Sequence, residues 1–432
     1  MKHLNLKLLT TFICLAGFAN SQIVTTLAGG FTGNTDANGI GTAASFDQPI
    51  GVATDGAGNL YVADQLNDQI RKIDISTAAV TVLAGGFNEP TGVVYDGSGN
   101  LYVADWSNNE IRKVVISTGV VTTLAGAGSG YPGSTDGTGT AAKFKEPYGI
   151  TYDGSGNLYV ADMGNNEIRK IVISSAVVTT LAGSTTAGSA NGTGTAARFN
   201  YPFGLTTDGK GNLYVADYAN NEIRQIVISS GVVTTLAGST TASSADGIGT
   251  AAGFSIPYDV VCDGNGNLYV ADGGNQEIRK IVISSASVTT LAGSTTAGNG
   301  NGTGTAASFH QPSGITIDAS GNLYVADEEN NLIRMISSIP TSMNELAPMP
   351  ASISLYPNPA NNLLYLSFNM QILSDAAVIK VIDITGREVL SKNSTVTNGN
   401  LIPIDIGTLT QGIYFVKAIT DQTTLVAKFI KE

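Results

Sequence analysis

Six aspartates in this sequence have neighbours that could bind a metal ion or form a repeated structural contact. Each ends a Tyr-Val-Ala-Asp tetrad and is followed by asparagine three residues later and by arginine seven residues later. The aspartates are Asp64, Asp105, Asp162, Asp217, Asp272 and Asp327, and the arginines are Arg71, Arg112, Arg169, Arg224, Arg279 and Arg334. Carboxylate and amide oxygens are ligands for hard divalent cations. Because the set is present in every copy, it cannot define one asymmetric site, and we predict that it holds tight turns together.

Positions that differ between the copies are better indicators of a binding site. One variable position follows the proline of a Pro-x-Gly segment, and the other follows the repeated aspartate. Together they supply the aromatic residues Trp106, Tyr148, Phe203, Tyr218 and Tyr258, while Asp259 and Glu328 are acids that break the repeat. Aromatic rings beside a few acids can bind a glycan or a peptide. The same rings could instead only pack the loops.

Residues suited to catalysis are scarce. The two histidines are His3 and His310, which excludes a histidine-rich zinc site. A Ser-His-Asp arrangement would have to use His310. Cys262 aligns with Thr, Tyr or Ile in the other copies, so we expect a small buried filler and not a nucleophile.

The spacing of the tetrads predicts the elements that position these residues. Successive tetrads are 41, 57, 55, 55 and 55 residues apart, and a fixed period of this size is typical of repeat architectures. Each copy contains four short segments of strand character, as in 147–153, 158–161, 167–173 and 177–183. Four antiparallel strands in each of six copies predict an all-β fold, a six-bladed β-propeller over residues 22–337.

The order of the segments also predicts how the ring closes. A segment of the last-strand type precedes the first tetrad and none follows the last, so residues 24–28 should complete the sixth blade. Inserts of the form (Asp/Asn)-Gly-x-Gly-Thr-Ala-Ala-x-Phe precede five of the copies, and the second copy lacks one. In them we expect a helical turn capped by threonine and a phenylalanine that enters the core. The inserts and both variable positions should lie at one end of the ring.

Three recurring motifs connect the sequence to a known family. Pro-x-Gly-(Ile/Val)-x-x-Asp, Gly-Asn-Leu-Tyr-Val-Ala-Asp and Asn-x-x-Ile-Arg-Lys-Ile resemble the NHL repeat family, and the resemblance covers residues 23–337. It implies a binding propeller without catalytic activity. The alternative that it implies is an enzyme similar to the gluconolactonase-like or lyase propellers, with a divalent metal in the central channel near Asp259 and Glu328.

The C-terminal part has a different pattern. Residues 338–351 are rich in Pro, Ser and Met, which indicates a linker. Seven period-two segments in 352–432 predict a small β-sandwich of immunoglobulin-like shape; they are 353–356, 363–368, 377–382, 388–391, 401–406, 413–418 and 425–430. Leu355-Tyr356-Pro357-Asn358-Pro359, Ile384-Thr385-Gly386-Arg387 and Gly412-Ile413-Tyr414 resemble the C-terminal sorting domain of the type-nine secretion system. This resemblance implies a Bacteroidetes-type bacterium and handling by its secretion machinery.

Charge and the N-terminal segment restrict the function further. Residues 1–21 predict a signal peptide, with Lys2 and Lys7 before a short apolar run and small residues before Gln22. The run is too short to span a membrane, so no transmembrane segment is expected. A formal charge of −12 argues against nucleic acid as a partner. The sequence therefore predicts a secreted or surface-attached module that binds a glycan, peptide or protein without a cofactor.

Overall fold

A computed structural model of the chain describes residues 22–30, 36–338, 352–369, 375–396, 401–420 and 424–432. The predicted signal peptide lies outside these residues, as does the predicted linker except for Ser338. The chain divides into two compact units, Met1–Thr341 and Ser342–Glu432.

Each copy of the repeat forms one antiparallel sheet of the first unit, which we number as blades one to six. The inner strands are Pro49–Thr54, Pro90–Tyr95, Pro147–Tyr152, Pro202–Thr207, Pro257–Cys262 and Pro312–Ile317. The second strands are Asn59–Asp64, Asn100–Asp105, Asn157–Asp162, Asn212–Asp217, Asn267–Asp272 and Leu323–Asp327. The third strands are Gln69–Asp74, Glu110–Val115, Glu167–Val172, Glu222–Val227, Glu277–Val282 and Leu332–Ser338.

The outer part of the blades comes from a fourth strand and, in five blades, from the insert. The outer strands of blades one to five are Ala79–Gly85, Val120–Ala125, Val177–Gly183, Val232–Gly238 and Ser287–Gly293. The inserts add the two-residue strands Gly39–Ile40, Gly137–Thr138, Gly192–Thr193, Gly247–Ile248 and Gly302–Thr303. Because the second copy has no insert, blade two has four strands and the other blades have five.

The six sheets form a closed ring. Each inner strand contacts the inner strand of the next blade, and Pro312–Ile317 contacts Pro49–Thr54. The outer strand of blade six is Gln22–Ala28, which pairs antiparallel with Leu332–Ser338. The predicted closure by residues 24–28 is therefore confirmed, and with it the all-β propeller fold.

The blades contain short 3-10 turns, in the inserts and after the second strands. In the inserts they are Gly41–Ala43, Gly139–Ala141, Gly194–Ala196, Gly249–Ala251 and Gly304–Ala306. After the second strands they are Gln65–Asn67, Trp106–Asn108, Met163–Asn165, Tyr218–Asn220, Gly273–Asn275 and Glu328–Asn330. The expected threonine cap is wrong, because the insert turns begin without a side-chain hydrogen bond. The insert phenylalanines do enter the core, where Phe46, Phe144, Phe199, Phe254 and Phe309 are fully buried.

The second unit consists of two antiparallel sheets. One contains Ser352–Tyr356, Leu363–Asn369 and Leu401–Asp405, and the other contains Asp375–Asp383, Glu388–Val396, Gly412–Thr420 and Thr424–Lys431. Leu366 and Ile404 of the first sheet share one hydrophobic core with Val381, Val416 and Phe429 of the second. All seven predicted strands are present, with bounds that differ by a few residues.

Candidate functional site

A buried ion pair joins the second and third strands of every blade. In blade three, Arg169 Nη1 lies 2.8 Å from Asp162 Oδ2, and Asn165 Nδ2 donates to the same oxygen at 2.9 Å. The backbone N–H of Lys145 donates to Asp162 Oδ1 at 2.8 Å. Burial raises the pKa of Asp162 to about 6, so the carboxylate is still ionised at neutral pH.

The same pair is present in all six blades, and we call it the Asp–Arg belt. Its Nη1–Oδ2 distances lie between 2.6 and 3.0 Å. Five of the six arginine side chains are fully buried, and each of these stands over the phenylalanine of its insert, as Arg169 does over Phe144 at 5.3 Å. Both oxygens of the aspartate accept hydrogen bonds within the fold, as the predicted structural role requires.

Neighbouring blades are joined by a residue that the sequence reasoning did not single out. It follows the turn after the second strand, has a positive φ, and accepts a backbone hydrogen bond from the next blade. Asn166 Oδ1, for example, accepts from the Tyr201 N–H at 2.8 Å, and Asn331 Oδ1 closes the ring by accepting from the Gln48 N–H. Asp68, Asn109, Asn221 and Gln276 make the other links. The available signal was a second polar residue in each turn, since Asn and Asp tolerate positive φ.

The two variable positions do lie at one end of the ring. In blade three, the turn after the second strand is bonded to the segment before the inner strand, because the Gly164 N–H donates to Lys145 O at 2.9 Å. The aromatic residues from blades two to five meet there. We call Trp106, Tyr148, Phe203, Tyr218 and Tyr258 the aromatic cluster.

The rings of the aromatic cluster pack on one another. Phe203 is sandwiched between Tyr148 and Tyr218, with ring centroids 4.1 and 4.0 Å away. Tyr258 meets Phe203 and Tyr218 edge-on, both at 5.3 Å. Only 9% of Phe203 and 8% of Tyr258 is exposed, whereas Trp106, Tyr148 and Tyr218 are half-buried. The surface available to a ligand is therefore provided by Trp106, Tyr148 and Tyr218.

A glycine makes room for one of these rings. A Cβ on Gly273 would lie 2.5 Å from Cδ2 of Tyr258 and 3.2 Å from the backbone oxygen of Pro312. The equivalent positions hold Gln65, Trp106, Met163, Tyr218 and Glu328. Tyr258 therefore occupies space that a side chain fills in the other blades.

A polar group borders the aromatic cluster on the side of blade six. Gln311 Nε2 donates to Tyr258 OH at 2.8 Å and to Glu328 Oε1 at 2.9 Å. Glu328 is 6% exposed, and its Oε2 has no hydrogen-bond partner among the described residues; the same holds for Trp106 Nε1. Burial, with the charge of Glu329 as a smaller cause, raises the pKa of Glu328 to about 8. At neutral pH this carboxyl is therefore mostly protonated and can donate or accept a hydrogen bond.

Beneath the aromatic cluster, the inner strands enclose a central channel with a cavity of about 190 Å³. Tyr148, Tyr258 and Asp259 line it. Asp259 Oδ1 accepts from the Val260 N–H at 2.8 Å, and Oδ2 accepts from the Ile315 N–H of blade six at 3.0 Å. Burial raises the pKa of Asp259 to about 7. Through its hydrogen bond with Ile315, Asp259 connects blade five to blade six.

The sequence predicts no catalytic or metal-binding residues, and the residues considered for such roles form no ligand cluster in the described part of the chain. No group of three or more His, Cys, Asp or Glu in the described part of the chain is placed to hold a metal ion. Cys262 is half-buried at the end of an inner strand, and burial raises the pKa of its thiol. The absence of a cofactor stays a prediction, a metal in the channel stays the alternative, and metal analysis of the purified protein would distinguish them.

With this geometry established, the chain can be compared with known families. It matches the NHL repeat over residues 87–114 and 309–334, in blades two and six. Residues 354–432 match the secretion system C-terminal sorting domain. The chain therefore contains NHL repeats in its propeller and a secretion sorting domain at residues 354–432. This domain indicates handling by secretion machinery and a location outside the cell or on its surface. No helix in the described residues is long and apolar enough to cross a membrane.

Among curated proteins, the chain is similar to the protein SUPPRESSOR OF QUENCHING 1, chloroplastic, of Arabidopsis thaliana. The two are 30% identical over 359 residues, which is 80% of this chain and 30% of the relative. The chain spans less than half the length of the curated relatives that it matches.

Two solved structures from Bacteroides thetaiotaomicron have the same fold. A protein of unknown function is 23% identical with a TM-score of 0.61, and an auxiliary nutrient binding protein is 17% identical with a TM-score of 0.59. Each similarity covers 73% of this chain and 76% of the other chain. At these identities the comparison establishes the fold alone.

Proposed function

We propose that this protein is an exported binding module and that the aromatic cluster, with Gln311 and Glu328, binds a glycan. One observation carries the proposal. The aromatic cluster converges at one end of the channel in an otherwise repetitive ring, beside a buried carboxyl that has an unpaired oxygen. A buried polar atom without a partner costs free energy, and a bound hydroxyl group would satisfy it.

The charge state of the site favours a neutral ligand over a cationic one. Because the Glu328 carboxyl is mostly protonated at neutral pH, it adds little negative charge beside the rings. Half-buried aromatic faces stack on the apolar faces of sugars, and amide and carboxyl groups bond their hydroxyls. An auxiliary nutrient binding protein with the same fold gives the proposal further support, since capture of nutrients outside the cell would use such a site.

A glycan and peptide array probed with the full chain tests this proposal. Trp106→Ala and Tyr218→Ala should each abolish binding. The melting temperature of the Trp106→Ala variant should remain nearly that of the native chain. Tyr95→Ala, at a tyrosine that lines the channel but lies outside the aromatic cluster, is the matched control and should bind normally. Glycan binding that survives both cluster substitutions would contradict the site. Selective binding of peptides would retain the site and replace the proposed ligand.

A further inference from the structure

Blade two lacks a structural layer that the other five blades have. In blade three the insert pairs with the outer strand at Gly137–Val178 and Thr138–Val177. The insert also donates the Gly139 N–H to Ala176 O at 2.8 Å. Blade two has no such segment, so no strand among the described residues lies beside the equivalent edge of Val120–Ala125.

The same difference changes the arginine of the belt. Where an insert is present, the arginine Nη2 donates to its Asp or Asn, as Arg169 does to Asp136 at 2.7 Å. The other four partners are Asn38, Asn191, Asp246 and Asn301. Arg112 bonds Asp105 through Nη1 at 2.9 Å, and Glu110 Oε2 lies 3.5 Å from the same nitrogen. No acceptor for Arg112 Nη2 is found in the described residues. The side chain is 16% exposed, whereas the other five are fully buried.

An apolar side chain is uncovered at the same place. Val121 is half-buried, although its equivalents Val24, Val80, Val178, Val233 and Val288 are at most 1% exposed. Its neighbour Val120 is 52% exposed. The place of the insert phenylalanine is already filled, since Phe87 is 6% exposed with its ring 6.0 Å from the Arg112 guanidinium. The gap in blade two therefore corresponds to the short Asx-Gly-Thr part of an insert.

We propose that this edge of blade two is a docking site for an extended segment of another polypeptide. The segment adds a fifth strand to Val120–Ala125, covers Val121, and places an Asp or Asn side chain on Arg112 Nη2. Strand addition of this kind takes its affinity from backbone hydrogen bonds and its specificity from side-chain contacts. The five inserts define the sequence that fits, which is Asp or Asn followed by Gly and a Thr or Ile. The acid at Glu110 does not prevent this contact, because Glu167 stands at the same position beside Asp136 in blade three.

A peptide with the sequence of residues 134–140, acetylated and amidated, is the direct probe. The full chain should bind it with 1:1 stoichiometry by NMR titration or fluorescence anisotropy. Replacing the peptide aspartate by alanine, or Arg112→Gln in the protein, should weaken binding about 10- to 100-fold, since both remove a charge-assisted hydrogen bond. Failure of the native chain to bind the peptide at its highest soluble concentration would overturn the proposal.

A second variant keeps the test valid if Arg112→Gln does not fold. Insertion of residues 185–198 between Gly86 and Phe87 supplies blade two with an insert of the length found in blade four. This variant should melt at a higher temperature than the native chain and should lose peptide binding, because the edge is occupied. Equal peptide binding by the native chain and this variant would show that the peptide binds elsewhere, and would overturn the proposal.

Discussion

The Asp–Arg belt and the aromatic cluster are built from adjacent residues and follow different rules. Asp162 belongs to the belt and is repeated in every blade, while the next position holds Met163 in blade three and five other residues elsewhere. The belt holds strands of the same blade together, so every blade needs it. Residues at the next position contribute to the shared end of the channel, where blades two to six form one surface. Residues repeated in every blade therefore stabilise the individual blade, and residues that vary between blades form the shared surface.

The largest effect should come from removing one partner of a fully buried pair in the belt. Arg169→Met leaves Asp162 buried without its counter-charge, which should cost about 3–5 kcal/mol of unfolding free energy. The matched control is Arg112→Met, which should cost clearly less because that guanidinium is partly exposed and makes fewer hydrogen bonds. Urea denaturation measures both. Equal losses would mean that the insert contacts add nothing to the belt.

A smaller loss should follow when the space under Tyr258 is filled. Gly273→Ala places a methyl group against the ring, which should cost about 1–3 kcal/mol and move Tyr258 off Phe203. Gly130→Ala is the control, because a Cβ there meets nothing within 4 Å. Thermal unfolding and near-ultraviolet circular dichroism report the two effects. A variant at Gly273 as stable as the control would show that the aromatic cluster packs loosely.

The pH dependence of stability should report on the buried carboxyl of Glu328, beside the aromatic cluster. The folded pKa of Glu328, about 8, exceeds its ordinary value of 4.5, so the native state holds this proton more tightly than the unfolded state. The stability it contributes is complete below about pH 4.5 and is lost as the pH rises to about 8.

Glu328→Gln removes this titration and retains an acceptor for Gln311. The native chain should therefore lose stability relative to the variant between pH 4.5 and 8. Asp259 and Glu167 titrate in both proteins with the same sign and cancel in the difference. Denaturant midpoints across this range are the measurement. A difference that stays constant with pH would contradict burial of the Glu328 carboxyl.

The smallest loss of stability is expected when the exposed partner of a belt arginine is changed. Asp136→Asn should change the unfolding free energy by less than about 1 kcal/mol, because exposed ion pairs contribute little. Asp136 is 50% exposed, and blades one, four and six carry asparagine at this position. A loss close to that of Arg169→Met would show that the exposed Arg169–Asp136 pair contributes as much stability as the buried Arg169–Asp162 pair.

Much of the fold could be predicted because its signals are local and repeated. The apolar run Leu158–Ala161, for instance, is buried on both faces, as a second strand inside a blade must be. The placement of Tyr148 and Tyr218 at one end followed from strand direction alone. Sequence could not predict that Phe203 is sandwiched between them, since ring stacking depends on rotamers set by neighbouring blades.

The sequence by itself determined the repeat, the residues of the belt, the closure by the first strand, and the all-β class of the chain. Only the tertiary structure decided the contacts between blades, namely the link from Asn166 to Tyr201, the use of Asp259 as a connection to Ile315, and the exposure of Arg112. Periodicity reports which residues are buried within one unit. Periodicity marks the polar residue that follows each turn but not its partner in the next blade, because the partner depends on where the ring places two segments in space.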